Sequence, residues 1–369
     1  MAATATAPET PSEMLAAQLV EFKSPPVVQK TRAPTASDLG PYDLLLRTAV
    51  ASLCHTDLMV QAGFMPLKHG LPMTLSHEGT GVVVAAGASA QESFKPGDRV
   101  MSGITFHGCG RCENCQAPPD RDWKQYCFDN DGALGVVTDG AFAEYHVVDA
   151  RMSCKVPERV SFLTAAPLAC AGVTVYRGLK VSGVGAGGWV AIVGGGGGLG
   201  HFGVQFAKAA GMKVIAVEAR DDGIEIAKKY GADHVLDARE GKDKVAERVR
   251  ALTSPRGGVD ATVNVSDHPS TAALSASITR SHGTVVQAAQ PVEVTVPFQE
   301  IVLRDITIKG TMHGGPGVAD EMLQTVATHG IVAETQVFHG LDEVPKMFEL
   351  LEAGKVKGKA VCVVDKELV

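Results

Sequence analysis

The chain has 369 residues, of which 45% are apolar and 20% charged, with a formal net charge of −7. That length accommodates two domains with substantial cores, and the composition excludes a chain that is disordered throughout. The acidic balance excludes a basic face for nucleic acid or an acidic membrane, so neither partner is expected.

No stretch reads as the roughly 18 or more apolar residues of a membrane span. The first ten residues, Met1 to Thr10, have no basic n-region, apolar core or arginine, so neither a secretory signal nor a transit peptide is expected. The last four, Lys366-Glu367-Leu368-Val369, match no retrieval or peroxisomal signal. Residues 1–13 read as a disordered tail. From Met14 to about Ala171 the texture is β-rich, with short apolar runs such as Asp43–Arg47 and Thr80–Val84 and turn signals such as Lys95-Pro96-Gly97-Asp98.

After Cys170 strands and helices alternate, as in a parallel sheet. Strands are predicted at Trp189–Val193, Lys213–Val217, His234–Leu236, Asp260–Val265, Gly283–Val286 and Asp305–Lys309. A helix is predicted from Leu199 to Ala210, with Phe202, Phe206 and Ala207 on one face and Gly211 as its stop. The remainder, from about Thr311, holds helices near Ala319–Thr328 and Glu343–Ala353 and a last strand over Ala360–Val364.

Six of the eight cysteines and one histidine sort into two metal-ligand sets. Cys109, Cys112 and Cys115 are spaced two residues apart, and Cys127 follows after a longer polar segment. Four thiolates so close in sequence describe a closed structural zinc site. Cys54, His77 and Cys170 are dispersed, and two thiolates with one imidazole leave a fourth zinc position open, the mark of a catalytic site. Thiols spaced as ligands fit a reducing compartment, so a cytoplasmic location is expected. Cys154 and Cys362 fit neither set and read as buried small apolar residues.

Between the first strand of the alternating region and its helix lies a run of five glycines, Gly194–Gly198, then Leu199 and Gly200. Gly195, Gly197 and Gly200 fit the dinucleotide fingerprint; Gly198 and Leu199 complete the turn that brings backbone N–H groups to a pyrophosphate. Glu218 closes the next strand, where an acid hydrogen-bonds the adenosine ribose and repels a 2′-phosphate. NAD is favoured over NADP, with Arg220 two residues on as the feature that keeps NADP open. Two zinc ions and NAD together point to hydride transfer between an alcohol or carbonyl and a nicotinamide.

With these motifs in one order, the chain resembles the zinc-dependent medium-chain alcohol dehydrogenases, most of all the tetrameric yeast and microbial type. The likeness rests on Cys54-His55-Thr56-Asp57, His77-Glu78, the four-cysteine lobe, Asp139–Tyr145, Cys170–Tyr176, the glycine loop, Asn264-Val265-Ser266 and Gly354–Lys359. It implies an α/β protein. A GroES-like, β-rich catalytic domain would cover 14–172 and 312–369, with a structural-zinc lobe at 106–132. A Rossmann domain, a doubly wound parallel six-stranded sheet, would cover 173–311. The resemblance makes Thr56 the first proton acceptor, Asp57 the carboxylate that orients the histidine ligand, and Glu78 an acid beside the zinc. It places His55 and Lys359 at the pyrophosphate and implies a homotetramer acting on a small alcohol or aldehyde.

Three departures shape the expectations. The gap between Cys115 and Cys127 is longer than the family's seven residues, which would end at Trp123; the extra residues are expected to bulge outward. Met59 stands where many relatives carry a histidine that ends the proton relay, so slower alcohol oxidation near neutral pH is expected. Met65, Ile104 and Thr105 replace the tryptophan-walled pocket of ethanol-active relatives and suggest a substrate bulkier than ethanol. The competing readings are an NADPH-preferring zinc-dependent aldehyde or ketone reductase, a zinc-free quinone or enoyl reductase, and a zinc-ribbon binding module.

Overall fold

The computed structural model describes residues 10–118 and 121–369. The first nine positions of the expected tail lie outside the described residues; a strand opens at Glu13 and runs to Leu19. The chain divides into two compact units. One comprises the chain through Cys170 with Gly315–Ala327 and Thr335–Val369, and the other comprises Ala171–Gly314 with Thr328–Glu334.

The first unit is built on a seven-stranded sheet. Its centre is the strand Asp43–Ser52, which pairs antiparallel with Glu78–Ala86, Tyr145–Asp149 and Lys359–Val363. The central strand is buried at nearly every position, as the apolar run Leu44-Leu45-Leu46 requires. Leu19, Leu53, Val60, Leu75, Phe142, Met347 and Phe348 form one core beside it.

His146 on this sheet is buried, with Thr48 Oγ1 and Ser102 Oγ each 2.8 Å from a ring nitrogen. Burial pushes its pKa down to about 3. The folded ring therefore stays neutral where the unfolded ring takes a proton, below about pH 6.5. Stability from this group is complete above that pH and declines as pH falls toward 3, at up to about 1.4 kcal/mol per pH unit. His146→Gln should flatten the loss of urea midpoint between pH 6.5 and 5 relative to the unaltered chain. Identical slopes would show that His146 does not carry it.

The second unit is a six-stranded parallel sheet. Its strands are β1 (Trp189–Val193), β2 (Lys213–Glu218), β3 (His234–Asp237), β4 (Val259–Asn264), β5 (Thr279–Gln287) and β6 (Thr307–Gly310). Their order is 3-2-1-4-5-6, the arrangement of a dinucleotide-binding sheet. β1 and β2 pack Ala191, Val193, Ile215 and Val217 with Leu236 and Leu274 in the core. Helix α1 (Gly200–Ala209) follows β1.

Thr328–Glu334, expected with the catalytic domain, belongs to this second unit instead. The reason is a set of polar pins: Gln205 makes two hydrogen bonds with the Val332 backbone, and Lys229 and Tyr230 hold the Glu334 carboxylate at 2.5 and 2.7 Å.

Phe162–Ser182 is one 21-residue helical run, long and apolar enough by composition to cross a bilayer, contrary to the sequence expectation. However, 83% of its apolar window is buried inside the protein, the environment of a core helix.

Candidate metal and cofactor sites

Strand register brings the dispersed ligands together. In the ladder between Asp43–Ser52 and Glu78–Ala86, Ser52 lies opposite Glu78, so Cys54 and His77 leave the sheet at the same end. In the ladder with Lys359–Val363, Ser52 lies opposite Val361, which carries Lys359 alongside Cys54. Cys170 comes from a single π-helical turn, Leu168–Gly172, that interrupts the helix just after Pro167. Such turns re-aim side chains and are frequent at functional sites.

One donor atom each from Cys54, His77, Glu78 and Cys170 all lie within 4.8 Å of one another. A hydrogen bond from the Cys170 thiol holds Cys54 well below the usual thiol range, against its burial, and the same pairing pushes Cys170 well above it. Burial opposes charge on His77, yet the Cys54 sulfur and the nearby carboxylates raise it to about 9. Among the described residues the buried Nδ1 of His77 has no hydrogen-bond partner. Thiolate charge beside a buried ring nitrogen without a partner is a donor set that a zinc ion fits.

Asp57 acts on this set differently from its expected role. Its Oδ2 accepts the Cys54 N–H at 2.8 Å and its Oδ1 accepts the Ser76 N–H at 2.9 Å, so it ties together the two ligand-bearing backbones rather than bonding the imidazole. Burial pushes its carboxyl up to about 6. Glu78 and Lys359 form a buried ion pair at 2.6 Å. Burial pushes Glu78 up to about 7, against the pull of Lys359. The Lys359 ammonium, placed at the pyrophosphate by the resemblance, is thus engaged by Glu78 because strand register sets it beside Cys54. Thr56 is half-buried with its hydroxyl 3.9 Å from the Cys54 sulfur, and His55 is exposed at the start of the helix His55–Gln61.

The four sulfurs of Cys109, Cys112, Cys115 and Cys127 also lie within 4.8 Å of one another. Cys127 Sγ is 3.7 Å from Cys109 Sγ and 3.8 Å from Cys112 Sγ. A tetrahedron of ~2.3 Å zinc–sulfur bonds has edges of about 3.8 Å. Backbone N–H groups of Arg111 and Cys112 aim at the Cys109 sulfur and lower its pKa to about 6, whereas burial pushes Cys115 up to about 12.

The longer gap before Cys127 does not simply bulge outward. Asp122, at φ 45°, turns in and is buried; its carboxylate accepts the Val318 N–H at 2.8 Å, in the first turn of the helix Pro316–His329. A Cβ on Gly315 would stand 2.3 Å from an Asp122 oxygen, so any larger residue there would displace this carboxylate. Arg121 lies over the Trp123 ring, while Pro119 and Asp120 are outside the described residues.

In the second unit the glycine turn joins β1 to α1. A Cβ on Gly196 would strike the Gly223 backbone at 1.9 Å, whereas one on Gly197 would meet only the Gly194 carbonyl, at 3.3 Å. Gly197 therefore faces open space that a pyrophosphate can fill, and Gly195, Gly198, Leu199 and Gly200 lie in the same turn. Glu218 is buried at the end of β2 and accepts N–H groups from Gly196, Ala219 and Arg220. Arg220 lies 3.8 Å from Glu218 and 3.7 Å from Asp222, so two carboxylates share its charge.

Of the three pocket candidates, Met65 packs against the core that contains Leu53 and Phe142. Ile104 and Thr105 are buried, Thr105 in a two-stranded hairpin with Gly132–Ala133. Cys154 and Cys362 are buried, and burial pushes each thiol up to about 12. Sequence reasoning passed over the buried pairing of Lys359 and the roles of Asp122, His146 and His201, because their partners lie far away in the chain.

Residues 40–158 match the family model described as alcohol dehydrogenase GroES-like domain, and residues 198–328 match that described as zinc-binding dehydrogenase. The chain is 35% identical over 349 residues to an alcohol dehydrogenase of Rhizobium meliloti (strain 1021), covering 94% of this chain and 98% of that one. It is 36% identical over 354 residues to an alcohol dehydrogenase of Geobacillus stearothermophilus, covering 95% and 100%. The solved alcohol dehydrogenase of Aeropyrum pernix superposes with a TM-score of 0.81 at 30% identity, covering 95% of this chain and 99% of that one.

Proposed function

The chain belongs to the zinc-dependent medium-chain alcohol dehydrogenases and is an oxidoreductase acting on alcohols, and from that premise we propose that it oxidises an alcohol bulkier than ethanol with NAD, reversibly. The observation that carries this reading is the Cys54–His77–Cys170 set, with Cys54 and His77 buried and Cys170 half-buried, its donor atoms within 4.8 Å and an acid beside it. Bound there, zinc supplies a Lewis acid for the substrate oxygen, and NAD supplies the hydride acceptor. Cys54, Cys170 and His77 hold the ion, and Asp57 fixes the backbone on both sides of it. Thr56 Oγ1 takes the alcohol proton. Met59, three residues on, offers no group to carry that proton further, so it leaves through water.

Lys359 holds the Glu78 carboxylate and balances its charge in a buried place where an unpaired charge would be costly. The four-cysteine lobe holds a second, structural zinc. Glu218 supports NAD: its carboxylate disfavours a 2′-phosphate, and Arg220 is shared between two acids. The bulkier substrate rests on Met65, Ile104 and Thr105 in place of tryptophans. A cytosolic location and a homotetramer complete the reading. The eight free cysteines support a reducing compartment. The exposed edge strand β6 with exposed Phe298, Val302 and Leu303 supports self-association.

The test is the reduced-nicotinamide absorbance with NAD or NADP and alcohols from ethanol to benzyl and cinnamyl, with and without a strong chelator. Chelator-sensitive turnover with NAD and a preference for the larger alcohols is expected. Turnover with NADP alone would favour the reductase reading and implicate Arg220, and ethanol as best substrate would overturn the pocket argument. Glu218→Ala should lower kcat/KM with NAD about 10- to 100-fold while sparing NADP, consistent with a charged hydrogen bond of about 1.5–3 kcal/mol. Equal losses with both cofactors would remove Glu218 from the choice.

A further inference from the structure

His201 is the second residue of α1 and is buried. The Gly197 carbonyl accepts two hydrogen bonds from it, the backbone N–H at 3.1 Å and ring Nδ1 at 3.0 Å. A carbonyl only accepts, so Nδ1 carries a proton. The other ring nitrogen, Nε2, accepts the Glu334 N–H at 3.1 Å, so it carries none. The two bonds together select one neutral tautomer. The ring is packed against Phe202 and Tyr230, with centroids 4.1 and 5.7 Å away. Its outer partner is itself immobilised, since Gln205 grips Val332 and Lys229 and Tyr230 grip Glu334.

The consequence falls on the next peptide group. In a planar trans peptide the C=O and the following N–H point in opposite directions. With the Gly197 carbonyl drawn into α1 by two donors, the Gly198 N–H points out of the amino end of that helix. Among the described residues it has no acceptor. A glycine pair has the backbone freedom to rotate this peptide group either way, so the sequence alone leaves its direction unspecified. The second donor on the carbonyl removes that freedom.

We propose that His201 is a positioning residue for the dinucleotide: by holding the Gly197 carbonyl through Nδ1, it presents the Gly198 N–H to the pyrophosphate. This rests on the reading of the glycine turn as the cofactor site. Two substitutions separate the two ends of the ring. His201→Asn keeps an N–H at the Nδ1 position and cannot reach Glu334. His201→Gln places a carbonyl oxygen near the Nε2 position for Glu334 and gives up the bond to Gly197.

Calorimetric binding of ADP-ribose and of adenosine, which lacks the pyrophosphate, reads the difference without turnover. His201→Gln should bind ADP-ribose about tenfold more weakly with adenosine unchanged, and His201→Asn should stay within about threefold of the unaltered chain for both. Equal losses in the two variants, or a loss shared by adenosine, would reduce His201 to a structural role and overturn the proposal. If the unaltered chain bound no ADP-ribose, the cofactor site itself would fall, and the proposal with it. The ring nitrogen chemical shifts of the ligand-free, unaltered protein give an independent check. A protonated Nδ1 with an unprotonated Nε2 is expected, and the opposite tautomer would overturn the proposal even if neither variant folds.

Discussion

Replacing Cys170 by serine should lower kcat at least about 1,000-fold while leaving the fold and NAD affinity nearly unchanged. The expectation follows from what the residue touches. Cys170 lies within a cluster whose donor atoms are within 4.8 Å of one another, remote in sequence from the glycine turn. Metal Lewis-acid stabilisation is worth several kcal/mol of barrier, and each ~1.4 kcal/mol is tenfold in rate. Zinc content should fall from two ions per chain toward one, and the thermal midpoint should move little. Residual activity within tenfold of the unaltered chain, with one zinc lost, would show that this cluster is not the reaction centre.

Cys127→Ser should do the reverse. The described residues of the lobe from Cys109 to Cys127 form turns and one short 3-10 helix around four sulfurs, with little apolar core of their own to fall back on. Loss of one thiolate should cost on the order of a few kcal/mol, lowering the midpoint by roughly 5–10 °C. The effect should extend beyond the lobe. Asp122, five residues before Cys127, accepts the Val318 N–H, so amides in the first turn of Pro316–His329 should exchange faster with solvent. Turnover per folded molecule should remain within a few-fold. If Cys127→Ser and Cys170→Ser gave the same pattern, the division into a structural and a catalytic site would be wrong.

Much of this was legible in the sequence because the signals are local. Cys109, Cys112 and Cys115 announce a metal lobe by spacing alone, and Cys127 joins them despite a gap that would otherwise have pointed to Trp123. Glycines 194–198 between an apolar run and a helix announce the turn. The six strands were placed within a few residues because each is a short apolar run bounded by turn signals. What was missed depends on distant partners. No local motif marks His146 or His201, and only Thr48, Ser102 and Glu334, at separations of 98, 44 and 133 residues, specify what their rings do. Asp122 lies in the segment expected to bulge outward, and its inward turn depends on the distant Val318 N–H.

The sequence by itself thus determined the chemical kinds and their local order: two thiolate sets, one imidazole, a glycine turn and an acid closing the second strand of the parallel sheet. These depend on residue type and short spacing, which folding preserves. The tertiary structure decided the pairings that balance charge and aim groups. Strand register set Lys359 against Glu78, while the helix His55–Gln61 put Asp57 between the Cys54 and Ser76 backbones and the polar pins on Val332 and Glu334 put His201 between Gly197 and Glu334. The physical reason is that a buried charge or orphaned hydrogen-bonding group must find its partner in space, and that partner need not be near in sequence.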